Sequence, residues 1–131
     1  MNQLQAAVFA KLSAALGAGV VFDAVPDNKP GVYTVIGDDT GQARDTDDAA
    51  GKECTITIDT YATNTGQAST TKGYKGAKAL AESVYNALHL QRISVADWNS
   101  SRVVFEFEQA QRDNDGISRQ VIQRFRIYLH K

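Results

Sequence analysis

Hydrophobic residues recur along the chain with two spacings, one typical of helices and one typical of strands. Residues 2–16 and 72–89 carry apolar side chains every three or four positions, which predicts two amphipathic helices. Their apolar stripes are Leu4, Val8, Leu12 and Leu16 in the first helix and Tyr74, Ala77, Ala81, Val84 and Leu88 in the second. Gly17 and Gly19 are expected to end the first helix.

Alternation of apolar and polar residues, or short apolar runs between turn residues, predicts the strands. The predicted strands are 20–25, 32–37, 54–63, 102–111 and 118–130. In the fourth of them, Val103, Phe105 and Phe107 are expected to point inward, with Glu106 and Glu108 on the outward face. An Asp-Gly pair then predicts a hairpin turn at 112–116.

The elements follow one another in the order α-β-β-β-α-β-β, with a further short strand allowed near 90–95. This order predicts an α+β fold in which two helices pack on one face of a mainly antiparallel sheet. The chain has 131 residues, of which 43% are hydrophobic, so we expect a single domain spanning 1–131. No apolar stretch approaches 18 residues, and neither a membrane span nor a signal peptide is expected.

Residues 38–52 interrupt the strand pattern with a polar, acidic stretch that has no periodicity. Five aspartates and one arginine give residues 38–48 a net charge of −4. A long segment of this kind in a compact domain is usually functional. We therefore expect a loop at 38–52 that is mobile in an isolated subunit and ordered by contact in an assembly.

Charge is divided unevenly between the two halves of the chain. Residues 1–60 carry a net charge of −5, and residues 61–131 carry +4. The two halves could attract each other within one subunit, or they could join one subunit to the next. The last predicted strand has one face that mixes Arg124 and Arg126 with Ile122 and Tyr128, a combination that interfaces favour. The alternative is that a helix covers this face in the monomer.

The sequence contains no convincing catalytic or ligand-binding motif. Cys54, the only cysteine, lies in a strand pattern and is expected to be a small buried hydrophobe. His89 and His130 are expected at the surface, with no nucleophile beside them. The phosphate-binding glycine motifs are missing, and the two aspartate-rich stretches lack the calcium-loop pattern. We predict no catalytic residue, no metal site and no cofactor.

The order of elements and several short stretches resemble one known family. The chain begins with the helix "LQAAVFAKL", followed by the block "VFDAVPDNKPGVYTVIGDD" and the strand "TITIDTYA". The helix "GYKGAKALAESVYNAL", a strand with alternating Phe and Glu, the turn "DNDG" and the basic strand "RQVIQRFRI" complete it. This arrangement is similar to the small tail-completion proteins of long-tailed phages, which are tail terminators or tail-to-head joining proteins.

The resemblance implies a structural virion protein and not an enzyme. It implies a ring of identical subunits, usually six, that caps the tail tube and joins it to the head connector, with genomic DNA passing through without specific binding. The protein would be made in the cytoplasm of the host bacterium and reside at the tail-head joint, without a membrane partner. The interface candidates are Asp38, Asp39, Asp45, Asp47, Asp48, Ile122, Arg124, Arg126 and Tyr128, and the lumen candidates are Glu106 and Glu108.

Three alternatives remain open at this point. The chain could be another head-tail connector or stopper protein of the same joint. It could be a small enzyme or ligand-binding domain, which predicts a pocket with clustered perturbed titratable groups. It could also be a monomeric nucleic-acid module that uses Lys72, Lys75 and Lys78, which predicts salt-sensitive binding.

Overall fold

The fold was analysed in a computed structural model, which describes residues 2–17, 19–23, 31–63, 74–112 and 119–131. The described residues form two helices, α1 (Asn2–Leu16) and α2 (Tyr74–Leu88). They also form six strands, β1 (Val21–Phe22), β2 (Gly31–Ala43), β3 (Gly51–Thr63), β4 (Asn99–Ser100), β5 (Val104–Arg112) and β6 (Arg119–His130). Residues 113–116 of the predicted turn and residues 72–73 of the second predicted helix lie outside the described residues.

All six strands belong to one sheet, with β3 and β6 in its centre. The strand order is β1-β2-β3-β6, and the far side of β6 pairs with β5 along most of its length and with β4 at its end. Every pairing is antiparallel except the short parallel pair of β1 and β2. The prediction of a mainly antiparallel sheet is confirmed.

The hydrophobic core lies between the sheet and both helices. Leu4, Val8 and Leu12 of α1 are buried against the same core as Val84 and Leu88 of α2. The sheet contributes the alternating side chains Ile36, Cys54, Ile56, Ile58, Phe125, Ile127 and Leu129. Burying a side chain of this size contributes about 1.5–3 kcal/mol. Two helices therefore pack on one face of the sheet, and the predicted α+β fold is confirmed.

A glycine ends the first helix, because its backbone can adopt a positive φ. Gly17 ends α1 with a φ of +97°, and its amide donates to the carbonyl of Ser13 at 2.9 Å, as predicted for a glycine at that position. After α2 the chain crosses back through residues 90–98 and forms the extra strand β4 at 99–100, not near 90–95. None of the described helices is long and apolar enough to cross a membrane.

The prediction of a loop at 38–52 is wrong in its main feature. Residues 38–43 continue β2 and residues 51–52 begin β3, so the acidic stretch is the outer half of a hairpin. Backbone bonds continue to the tip, where the amides of Arg44 and Thr46 donate to the carbonyls of Gly51 and Ala49 at 2.9 Å each. Most side chains of 38–50 are exposed, so burial could not impose the alternation that reveals a strand in the sequence.

A β-bulge in β5 overturns the predicted orientation of two side chains. Phe105 pairs with Phe125, but the next paired residue is Phe107, opposite Arg124, so Glu106 is an extra residue. The extra residue reverses the faces beyond it. Phe107 is 38% exposed on the outward side, whereas Glu108 lies opposite the buried Gln123 on the helix side. The inward position predicted for Phe107 and the outward position predicted for Glu108 are both wrong.

Candidate assembly surface

The face of the sheet opposite the helices forms the candidate site, and we call the part built by β3, β5 and β6 the open sheet face. Its side chains are those that alternate with the core residues along these strands. They include Glu53, Thr55, Thr57 and Asp59 of β3, Val104, Glu106 and Phe107 of β5, and Ile122, Arg124, Arg126 and Tyr128 of β6. Neither described helix lies on this side, so the alternative that a helix covers the last strand is not what the described residues show.

A chain of alternating charges crosses the open sheet face. Glu106 accepts a bond from Arg124 Nε at 3.0 Å, and its other oxygen lies 3.4 Å from Arg126. Glu53 then lies 3.6 Å from Arg126 and 3.7 Å from Arg44. Three cations are therefore held by two carboxylates of the same chain. Each exposed pair contributes at most about 1 kcal/mol to stability, but together they leave the surface nearly neutral.

Aromatic rings cover the flanks of this charge network. The guanidinium of Arg124 lies 4.9 Å from the ring centre of Phe107, and that of Arg44 lies 5.1 Å from the ring centre of Tyr128. The Tyr128 hydroxyl also donates to the carbonyl of Arg44 at 3.4 Å. At these distances the rings attract the guanidinium groups through cation–π interactions. The face therefore combines aromatic rings with paired charges.

Polar and aromatic side chains continue this face toward the other end of the strands. The rings of Tyr33 and Tyr61 stack with their centres 5.4 Å apart. The Tyr61 hydroxyl accepts a bond from Gln120 at 3.2 Å, and Gln120 in turn accepts one from Gln111 at 3.0 Å. Side chains from four neighbouring strands thus form one row. Such cross-strand rows fix the register of the sheet.

Asp59 is a carboxyl on this face whose proton affinity is raised. Partial burial raises the pKa of Asp59, the neighbouring Asp38 raises it further, and a hydrogen bond from Gln120 opposes the change. The backbone of Gly37 runs close by, since a Cβ there would meet Asp59 Oδ2 at 3.0 Å. The sheet therefore crowds this carboxylate without supplying it with a cation among the described residues.

The raised pKa of Asp59 predicts a pH dependence of stability. The folded protein binds this proton more tightly than the unfolded chain does. The unfolding free energy of the wild type, relative to Asp59→Asn, is therefore expected to fall as pH rises from 3.8 through the raised pKa. Urea unfolding at a series of pH values measures the difference, with the exposed Asp23→Asn as control. A difference that rises with pH would contradict the assignment.

The structure separates the acidic interface candidates into two groups. Asp38 and Asp39 lie in β2 beside the bulge that shifts its register after Ile36, whereas the other three lie in the hairpin turn. Asp45 Oδ1 accepts the amide of Gly51 at 2.9 Å, and Asp48 Oδ1 accepts the hydroxyl of Thr46 at 3.3 Å. The remaining aspartate of the turn, Asp47, is exposed at its tip. Two aspartates of the acidic segment thus accept hydrogen bonds within their own turn.

The interface candidates of the last strand lie together, as the sequence indicated, but their partners were not predicted from it. Ile122, Arg124, Arg126 and Tyr128 all lie on the open sheet face. Sequence reasoning missed Glu53 and Arg44 as members of the site. Glu53 lies opposite Tyr128 in the paired strands, and only the register of β3 against β6 brings it to the arginines. The signal that could have found it is the Thr-rich alternation of β3, which places Glu53 outward.

Other kinds of chemistry find little support in the described part of the chain. No three His, Cys, Asp or Glu side chains lie close enough there to hold a metal ion. Cys54 is fully buried, and burial raises the pKa of its thiol, as expected for a side chain that packs. His89 Nδ1 accepts the amide of Phe105 at 3.1 Å, so this histidine holds the chain after α2.

Comparison with known proteins assigns this chain to a family. The family model of the tail completion protein gp17 matches residues 3–130. A solved chain from a structure described as the virion of a native gene transfer agent (GTA) particle is similar, with a TM-score of 0.78 and 26% identity, over 98% of this chain and 95% of that chain. No curated protein matches. Because the family model spans nearly the whole chain, the resemblance is confirmed, and the protein belongs to the tail completion protein gp17 family of structural tail proteins.

Proposed function

We propose that this protein is a tail terminator. Identical subunits, six in number, close into a ring that caps the tail tube and presents a surface to the head connector. Membership of the tail completion family supports the role, and the similarity to a chain of a gene transfer agent virion supports a place in the virion. The observation that carries the proposal is the open sheet face, which no described helix covers.

The composition of the open sheet face suits contact with another protein. Arg and Tyr are enriched in interfaces, and Ile122 adds a half-buried aliphatic side chain in the middle of the face. Charges that enter an interface without partners are costly, but Arg124 and Arg126 already bond Glu106. A neighbour can therefore cover them without leaving an unpaired cation. Contact between unlike surfaces closes into a ring when the rotation between subunits allows it.

The ring would surround the path of the genomic DNA. A lumen of exposed lysine and arginine would hold the phosphates through counterion release, so acidic side chains are proposed to outnumber basic ones at its narrowest part. Glu108 is the better of the two lumen candidates. It is exposed and accepts a bond from Gln123 at 3.0 Å, whereas both oxygens of Glu106 lie in ion pairs.

Substituting Ile122 tests the proposed ring. Ile122→Lys places a charge in the middle of the open sheet face and is expected to weaken assembly at least about tenfold while the monomer stays folded. Leu90→Lys is the matched control, because Leu90 is 51% exposed and follows α2 in the chain. The readout is the length of tubes polymerised from the tail tube protein of the same virion, with ring particles counted by electron microscopy.

The wild type and Leu90→Lys are expected to stop tube growth, and Ile122→Lys is expected to let tubes grow longer. Tubes whose length does not depend on the wild-type protein would contradict the terminator role. A single copy at the tube end would contradict the ring.

A further inference from the structure

Two lysine side chains converge on one tryptophan beside the turn of the β2–β3 hairpin. The ammonium group of Lys131 lies 4.5 Å from the ring centre of Trp98, and that of Lys52 lies 5.5 Å from it. Lys131 is held in place at both ends, since its amide donates to the carbonyl of Ala50 at 3.0 Å and its ammonium to that of Asp97 at 3.2 Å. The last residue of the chain is thus fixed beside the hairpin.

These two cations differ from the arginines of the open sheet face. Among the described residues, no carboxylate lies within ion-pair distance of Lys52 or Lys131, and their contacts are to the indole and to a carbonyl oxygen. A carboxylate brought to either ammonium group would supply the opposite charge that the described residues do not. The cluster therefore favours an anionic group.

A groove of about 540 Å³ leads to this cluster. Its lining includes Lys52 and Trp98, small residues such as Gly41 and Ala43, and the two carboxylates of Asp39 and Asp45. Asp45 Oδ1 already accepts a hydrogen bond from the amide of Gly51. The small residues leave room for the backbone of a narrow segment. Carboxylates on that segment would be attracted to Lys52 and Lys131 and repelled by Asp39, so they would have to lie at the lysine cluster.

The chain itself carries a segment of this description at the tip of the same hairpin. Thr46 and Ala49 pair across a tight turn whose outermost residues are Asp47 and Asp48. Both aspartates are exposed, and Asp47 makes no contact with a cation among the described residues. The tip is narrow, acidic and rigidly presented.

The tip cannot fold back onto the lysines of its own chain. Hydrogen bonds between Arg44 and Gly51 and between Thr46 and Ala49 hold the two strands together up to the turn. Lys52 lies in the paired strand below the turn, opposite Ala43. The acidic tip and the basic cluster are complementary but are kept apart in one molecule, so only a second copy can bring them together.

From this complementarity we infer that the Asp47–Asp48 tip of one subunit docks at the cluster of Lys52, Lys131 and Trp98 and in the adjoining groove of the next subunit. The inference rests on the proposed ring and names the surfaces that meet in it. Tip and groove are different surfaces, so the contact is heterologous and propagates around a ring. The arginines of the open sheet face are less suited to receive the tip, because Arg124 and Arg126 are bonded within their own chain.

Charge reversal on each side tests the contact. The tip variant is Asp47→Lys with Asp48→Lys, and the groove variant is Lys52→Glu with Lys131→Glu. Each alone brings like charges together, so each is expected to weaken self-association of the purified protein at least about tenfold. Glu82→Lys and Arg102→Glu are the controls, because both side chains are exposed outside the hairpin and the groove. Circular dichroism and thermal unfolding establish that every variant is folded.

Mixing the two variants is the decisive step. A tip variant and a groove variant attract each other at both contacts, so an equal mixture is expected to restore assembly as a ring of alternating subunits. Mass photometry and sedimentation velocity measure the masses. Restoration only as far as a dimer would overturn the ring-forming geometry, because it would indicate a two-fold exchange of tips.

Other outcomes separate this contact from the ring itself. A ring that forms equally well from the wild type and from both variants would overturn the contact and leave the proposed terminator ring standing. Proteins that stay monomeric at every concentration and in the mixture would overturn the contact between free subunits. Salt-sensitive binding of a short oligonucleotide that the groove variant abolishes, with no change in mass, would assign the lysines to nucleic acid instead.

Discussion

Replacing Phe125 with alanine is expected to lower the free energy of unfolding by about 3–5 kcal/mol. Phe125 is fully buried in the centre of β6, and its ring meets that of Phe105 edge to face, with centres 5.6 Å apart. Truncation removes this contact and leaves a cavity between the sheet and the helices, which the backbone of a central strand cannot close. Urea unfolding followed by circular dichroism measures the loss.

Phe107→Ala is the matched control for this prediction. It removes the same ring from the neighbouring strand, but Phe107 is 38% exposed and its main partner is the guanidinium of Arg124 at 4.9 Å. The loss is expected to be under about 1 kcal/mol. Equal losses at the two positions would contradict the bulge in β5, since a strand without the bulge would bury both rings.

Gly51→Ala is expected to destabilise the protein by about 1–3 kcal/mol, although it adds a single methyl group. Gly51 is buried where the hairpin turn meets β6, and a Cβ there would collide with the carbonyl of Arg44 and lie 2.8 Å from the Tyr128 hydroxyl. Both backbone groups of Gly51 are also in use, the amide by Asp45 and the carbonyl by the amide of Arg44. The substitution must therefore move the turn or the tyrosine.

Hydrogen exchange of the Arg44 amide reports the effect locally, and chemical unfolding reports it globally. Gly19→Ala is the control, because nothing lies within 4 Å of a Cβ at Gly19 and its φ lies outside the left-handed region. That substitution is expected to be neutral or to stabilise by about 0.4–1 kcal/mol through the unfolded chain. Unchanged protection of Arg44 in Gly51→Ala would show that the turn tolerates the methyl group.

The helices and central strands could be predicted because burial imposes a period on them. Leu4, Val8 and Leu12 face the core at helical spacing, and Cys54, Ile56 and Ile58 face it at strand spacing. Each of these segments has one face that must leave water. The period of its apolar residues is then readable in the sequence without knowledge of any partner.

The outer half of the β2–β3 hairpin could not be predicted on the same grounds. Beyond Ile36, most of its side chains are exposed, so polar and small residues are allowed at successive positions. Its strands are held by backbone hydrogen bonds, which carry no signature in the side chains. The acidic composition suggested a mobile loop, whereas the turn uses Asp45 and Asp48 as hydrogen-bond acceptors.

The candidate site was also predictable from the sequence only in part. Alternation placed Ile122, Arg124, Arg126 and Tyr128 on one face of the last strand, and the structure has them there. Their partners come from residues distant in the chain, and a single inserted residue in β5 decides that Phe107 and not Glu108 joins them. A bulge inserts one extra residue into one strand and shifts the pairing beyond it by one position. The amino-acid composition of that strand does not show the insertion, so the strand's sequence alone does not predict it.

By itself, the sequence determined the two helices, the central strands, the fold class and the family, because apolar periodicity and the order of elements are properties of the chain alone. Only the tertiary structure decided which charges are free. The register of β3, β5 and β6 pairs Arg124 and Arg126 with Glu106 and Glu53. The packing of the chain end on the hairpin leaves Lys52 and Lys131 without a carboxylate among the described residues. The physical reason is that an ion pair forms only when the two charged groups lie within a few ångströms of each other. For side chains that are far apart in the sequence, the fold sets that distance.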